Sequence, residues 1–123
     1  MSNRPLVLVV EDEPDLRDTV ARILHHEGYQ VVTAASCAGA HNALAATPPG
    51  LLIADMRLPD GDGLDLVRAA RTAIPAIPAV VVSAYLTRES HHAARAAGAV
   101  AILSKPFTVN AFAKAVEQAR QLN

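Results

Sequence analysis

The sequence predicts an α/β domain: a five-stranded, doubly wound parallel sheet with helices on both faces. Three observations predict it. Five short apolar runs are spaced along the chain, helical periodicity fills the segments between them, and strand and helix alternate five times. That order builds a parallel sheet through right-handed crossovers. The 123 residues suit one domain, spanning 1–123, and 51% hydrophobic residues supply its core.

The strands are read at Leu6–Val10, Gln30–Ala34, Leu51–Ala54, Ala79–Val82 and Val100–Leu103. Four are almost continuously apolar, as strands covered on both faces must be. The second (QVVTA) mixes in polar residues and reads as an edge strand. Between them, Leu16, Val20, Ile23 and Leu24 mark one face of a first helix, with Pro14 in its first turn and Gly28 beyond its end. Cys37, Ala40 and Leu44 mark the second helix, and Val67, Ala70 and Ile74 the third. Val109, Phe112, Val116 and Ala119 mark the last. The segment Thr87–Ala97 is alanine-rich and almost without large apolar side chains, so the helix there is expected to be held weakly. Pro48–Gly50, Pro59–Gly63 and Pro75–Pro78 read as loops.

Composition excludes several classes. Eleven basic and twelve acidic residues give a net charge of −1, and aromatics make up 3%. Neither a basic footprint nor stacking platforms for nucleic acid are present. Cys37 is the sole cysteine, which rules out an internal disulfide and a cysteine zinc site. The short polar stretch Met1–Pro5 is no signal peptide, and no apolar run spans a bilayer. The chain reads as soluble and cytoplasmic.

In open α/β sheets, ligands bind beyond the carboxyl ends of the strands. Glu11 and Asp12 follow the first apolar run, Asp55 the third, Ser83 the fourth, and Lys105 comes just after the fifth. Two carboxylates about 4 Å apart repel by roughly 1 kcal/mol in water and about 4 kcal/mol at an effective dielectric near 20. Three in one pocket call for a cation, and Mg2+ suits hard carboxylate oxygens shared with phosphate. Lys105 adds a compact positive charge and Ser83 a hydroxyl donor, so the set describes a site for an anionic group beside a metal. Taken singly, each residue has a plainer reading. Glu11 to Glu13 suit a helix dipole, Asp55 or Ser83 a cap or turn, and Lys105 a solvated surface. Their joint placement at the strand ends favours the site. The five histidines lie on helix patterns facing water, and Asp60-Gly61-Asp62-Gly63 is a turn, lacking the remaining ligands of a calcium loop.

The sequence resembles the receiver domains of two-component response regulators, in particular the chemotaxis-type single-domain receiver. The residues that carry the likeness are Val9 to Pro14, Asp55 to Leu64, Ser83-Ala84 and Lys105-Pro106-Phe107, in family order over essentially the whole chain. The resemblance implies a flavodoxin-like fold with strand order 2-1-3-4-5 and a phosphoacceptor at Asp55. Mg2+ would be bound by Asp12, Asp55, Glu11 (through water) and the backbone carbonyl of Arg57. Ser83 and Lys105 would contact the phosphoryl group, and the Lys105–Pro106 bond would be cis. It also implies a sensor histidine kinase or histidine phosphotransfer protein as donor, and output through a downstream protein or domain. It leaves open whether the chain forms a homodimer. Such a protein is not an enzyme in the ordinary sense, since it catalyses only its own phosphorylation and dephosphorylation.

Two features set this sequence apart within that resemblance. Ile102 stands where many receivers carry Tyr or Phe three residues before the lysine, which puts a ring-flip switch in doubt. Arg57 and Tyr85 fill the positions flanking the phosphate, and their bulk predicts a long-lived phosphoryl state. The competing reading is a receiver-like interaction module that works without phosphorylation. A phosphatase of the haloacid dehalogenase type would need an Asp where Arg57 stands.

Overall fold

A computed structural model of the chain describes residues 4–121; Met1, Ser2 and Asn3 of the polar leader lie outside them. The elements run β1 (Leu6–Val10), α1 (Pro14–His26), β2 (Gln30–Ala34), α2 (Cys37–Ala46), β3 (Leu51–Asp55), α3 (Gly63–Thr72), β4 (Ala79–Ser83), α4 (Arg88–Ala97), β5 (Ala101–Ser104) and α5 (Val109–Arg120). The five strands form one parallel sheet in the order β2-β1-β3-β4-β5. A two-residue antiparallel ladder, Arg57–Leu58 with Gly61–Asp62, sits between β3 and α3.

The alternation of side chains along each strand divides the core in two. Leu8, Val10, Leu52, Ala54, Ala79 and Val81 face the layer of α2, α3 and α4, where they meet Leu66, Val67 and Ala70. Val7, Val9, Leu51, Ile53, Val80 and Val82 face α1 and α5, where they meet Val20, Leu24, Phe112 and Val116. β3 and β4 are buried throughout, as central strands should be, whereas edge strand β2 buries only Ala34 fully. Phe112 is completely buried, and a side chain of that size contributes about 1.5–3 kcal/mol on leaving water.

Two residues read as core from helical spacing lie outside it. Ile74 continues the α3 period, but the helix ends at Thr72 and Ile74 is 99% exposed. The residue before a proline disfavours helical backbone, and Pro75 follows it. Val109 is the first residue of α5 and is 57% exposed. The fifth strand is displaced by one residue from the apolar run and starts at Ala101.

The helix at 88–97 has the weak anchorage expected of it. It buries Ala94 and Ala97, and it leans on α3. Its ends are better fixed than its length. Thr87 and Ser90 form a reciprocal capping box at the start, and Arg71 of α3 donates to the Ala96 carbonyl near the end.

Candidate functional site

β1, β3, β4 and β5 end at the same edge of the sheet, so the residues that follow them converge there. β1 delivers Glu11 and Asp12. Glu11 is buried, and its backbone N–H is held by the Ala34 carbonyl at the end of β2. Arg17, reaching back from the first turns of α1, donates to the carbonyls of Glu11 (2.9 Å) and Asp12 (3.4 Å), which pins this turn. Glu13 performs the helix-capping role considered for all three acids: its carboxylate accepts from the N–H groups of Asp15 and Leu16. The acids therefore divide, with Glu13 serving the helix and Glu11 and Asp12 facing the site.

β3 delivers Asp55, whose exposure is only 8%. One carboxylate oxygen, Oδ1, accepts from the Arg57 N–H at 3.1 Å. The other, Oδ2, accepts from Lys105 Nζ at 2.6 Å. Lys105 also reaches Glu11 Oε1 at 2.7 Å, so one ammonium bridges two acids from two strands. Its own anchor is the Lys105 N–H bond to the Ser83 carbonyl, followed by the expected cis Lys105–Pro106 bond. Phe107 then stacks on Phe112, with ring centroids 5.5 Å apart.

Glu11, Asp12 and Asp55 each offer a carboxylate oxygen within 4.8 Å of the other two. This donor set fits Mg2+: all-oxygen, hard, and more negative than Lys105 alone can balance. The protonation equilibria of Glu11 and Lys105 are both displaced, by burial and by their mutual contact. Burial pushes the Glu11 carboxyl above its ordinary range; the Lys105 contact and the Glu13 N–H pull it down, and the Asp55 charge pushes it up again. Burial by itself would lower the Lys105 ammonium, but its bonds to Asp55 and Glu11 outweigh that and hold it above its usual value.

β4 delivers Ser83, buried, with its Oγ accepting from the Tyr85 N–H at 3.2 Å. A hydroxyl holding that bond keeps its own proton for a further acceptor. Ser83 lines a cleft of about 510 Å³ together with Met56, Arg57 and Tyr85. At its mouth the Arg57 guanidinium lies over the Tyr85 ring, 5.2 Å from the centroid, so the two bulky flanking residues form a stack. Ile102 is partly buried against the α2–α4 side of the core.

Every residue picked out for the site from sequence is thus found at this edge, and three further residues that support it were not picked out. Asp62 caps α3 through the Leu64 N–H at 2.8 Å, a role that an Asp-Gly pair before a periodic apolar run does signal. Arg17 acts from within a helix. Asp60 accepts from the N–H groups of Cys37 (2.7 Å) and Ala38 (3.0 Å) at the start of α2, a pairing across 22 to 23 residues that no local pattern reveals. These two bonds hold its carboxyl below the ordinary range. Of Asp60–Gly63, read as a turn, only Asp60 lies in the turn itself: Gly61 and Asp62 belong to the two-residue ladder and Gly63 begins α3.

A family model described as the response regulator receiver domain matches residues 7–117. The chain belongs to the receiver family. Among relatives, this receiver is 39% identical over 107 residues to the transcriptional regulatory protein KdpE of Mycobacterium tuberculosis, covering 87% of this chain and 47% of KdpE. It is 36% identical over 115 residues to the nitrogen assimilation regulatory protein NtrX of Azorhizobium caulinodans, covering 92% and 25%. The chain therefore spans about half of the first relative and a quarter of the second. Among solved structures, the receiver domain of NtrX from Brucella abortus superposes with a TM-score of 0.87 at 33% identity, covering 95% of this chain and 99% of that one. The non-phosphorylated HemR receiver domain of Leptospira biflexa gives 0.88 at 28% identity, covering 98% and 97%. No helix among the described residues is long and apolar enough to cross a membrane.

Proposed function

We propose that this receiver accepts a phosphoryl group on Asp55 from a sensor histidine kinase or histidine phosphotransfer protein, in the cytoplasm, and signals through a downstream protein or domain. One observation carries the proposal: a single ammonium, Lys105, lies 2.6 Å from Asp55 and 2.7 Å from Glu11, inside a cluster of three acids. A surface lysine or a structural ion pair has no use for the third carboxylate. A phosphoryl-transfer site does, because transfer demands in-line positioning and neutralised equatorial charge more than covalent help.

In the transfer, an Asp55 carboxylate oxygen bonds to phosphorus, the phosphorus–nitrogen bond to histidine breaks, and the imidazole nitrogen takes up a proton. Mg2+, held by Asp12, Asp55, Glu11 and the Arg57 carbonyl, would supply charge neutralisation at the phosphoryl oxygens. Lys105 would pair with one phosphoryl oxygen and Ser83 would donate its hydroxyl to another. Ser83 is joined to α4: Tyr85 donates its N–H to Ser83 Oγ, and the Tyr85 carbonyl accepts from Ser90 Oγ at 3.5 Å. A pull on Ser83 therefore reaches the α4 cap without an aromatic ring at position 102. On this reading the chain turns over no substrate beyond its own acyl phosphate.

The test is incubation with acetyl phosphate and Mg2+, read by intact mass. The expected result is one added phosphoryl group, lost in Asp55→Asn and lost with EDTA. Labelling that persists in Asp55→Asn would overturn the assignment of the acceptor. An unlabelled parent chain would favour the phosphorylation-independent interaction module.

A further inference from the structure

The ladder Arg57–Leu58 with Gly61–Asp62 carries the Arg57 backbone, whose N–H holds Asp55 and whose carbonyl is proposed above for the metal. Two residue pairs make too short a ladder to hold itself, since an isolated hairpin is marginal even at greater length, and of the four residues only Leu58 is partly buried against the core. Its base is secured by the Gly63 N–H bond to the Met56 carbonyl (2.8 Å) and by the Asp62 cap of α3. Its tip, Pro59-Asp60, takes part in neither bond. The structure shows one strong anchor there: the Asp60 carboxylate, bonded through both oxygens to the first two N–H groups of α2. The hairpin also lies close against that helix, and a Cβ on Gly61 would sit 3.2 Å from Cys37 Sγ. α2 itself does not require Asp60 as its only cap, because Ser36 Oγ already accepts from the Gly39 N–H at 3.1 Å.

We propose that Asp60 is a positioning residue for the metal site, a latch to α2 that keeps the Arg57 backbone against the Asp55 carboxylate. This rests on the phosphoacceptor reading and adds a residue to it. Asp60 lies outside the acid cluster and is exposed, so its effect on the ion comes through the hairpin. Residues that orient a metal's ligands from outside typically change affinity by one to two orders of magnitude when removed.

The experiment compares Mg2+ affinity by isothermal titration calorimetry and stability by urea unfolding in four forms: parent, Asp60→Ala, Asp60→Asn and Ser36→Ala. Asp60→Ala should weaken Mg2+ binding about tenfold. Asp60→Asn, keeping one acceptor oxygen, should fall between it and the parent. Ser36→Ala, which removes a cap of the same helix but no tether, should lose stability and leave Mg2+ affinity unchanged. A loss through bare charge fades at high salt, whereas a loss of positioning remains. Unchanged affinity in Asp60→Ala, or an equal loss in Ser36→Ala, would overturn the inference while leaving the metal reading intact. If the parent binds no Mg2+, both fall together. Should Asp60→Ala fail to fold, Asp60→Asn against Ser36→Ala decides.

Discussion

Gly63 offers a test of how tightly the phosphoacceptor strand is packed against the helix that follows. A Cβ built there would lie 1.8 Å from the Asp55 carbonyl oxygen, 2.8 Å from its carbon and 3.2 Å from Met56 Cα. All three are backbone atoms, so no side chain can swing aside. The glycine does not have positive φ, so the penalty of Gly63→Ala is steric rather than conformational. Relief requires a shift of roughly 1.5 Å to restore van der Waals separation. That shift would strain the Gly63–Met56 hydrogen bond and carry Asp55 away from Lys105. Overpacking of this kind costs about 1–3 kcal/mol and a weakened hydrogen bond about 1 kcal/mol more, so we expect a loss of about 3 kcal/mol. At a urea m-value of about 1.5 kcal/mol/M the midpoint falls by roughly 2 M. Gly61→Ala is the matched control. It meets only the Cys37 thiol, at 3.2 Å, and that side chain can yield. Phosphoryl incorporation from acetyl phosphate should slow sharply in Gly63→Ala and little in Gly61→Ala. Equal urea midpoints for the two variants would refute the packing argument.

Lys105→Met leaves the Glu11 and Asp55 carboxylates facing each other. With the site partly open to water, the cost in EDTA should be about 2 kcal/mol of stability, below the range for a fully buried pair. Added Mg2+ should then stabilise this variant more than the parent, because no ammonium competes with the ion; equal magnesium effects in urea unfolding would count against the shared site. The Asp60 carboxyl is held below its unfolded value, so its contribution is complete above the unfolded pKa, near pH 4, and is lost as pH falls through the lower folded value. The stability gap between the parent and Asp60→Ala should accordingly be constant at neutral pH and close in acid; a gap that survives strong acid would exclude the carboxylate as its source. Arg57→Ala and Tyr85→Ala each dissolve the stack at the cleft mouth, and both should shorten the lifetime of the Asp55 phosphoryl group, followed by mass after donor removal. An unchanged lifetime would mean that water reaches the phosphorus by another path.

The sheet was legible because buried parallel strands leave near-continuous apolar runs, and the site was legible because its residues stand at the ends of those runs. Glu11, Asp55, Ser83 and Lys105 each come within a residue or two of a strand end, so the topology alone brings them together. Helical periodicity was less reliable at its margins. Ile74 and Val109 obey the 3.6-residue period, yet periodicity says nothing about where a helix stops or whether its first residue is covered. Asp60 was read only as part of a turn. Its partners lie on α2, and an acid in a turn carries no mark of the distant N–H groups it will meet. Arg17 escaped for a similar reason: a charged residue on an amphipathic helix normally points to water, and this one folds back on the carbonyls of Glu11 and Asp12.

The alanine contact beneath α4 has a mechanical meaning. Ala94 and Ala97 present single methyl groups to α3, and a face built this way has no ridge deep enough to interlock. Sliding or tilting such a helix would exchange one shallow contact for another, at less cost than withdrawing interlocked side chains. α4 behaves as a beam pinned at its ends rather than glued along its length. One pin is Arg71 at the Ala96 carbonyl, and the other, Ser90, is strung through Tyr85 to the hydroxyl of Ser83. On the phosphoacceptor reading, a displacement at that hydroxyl would be passed along these contacts to the start of the beam.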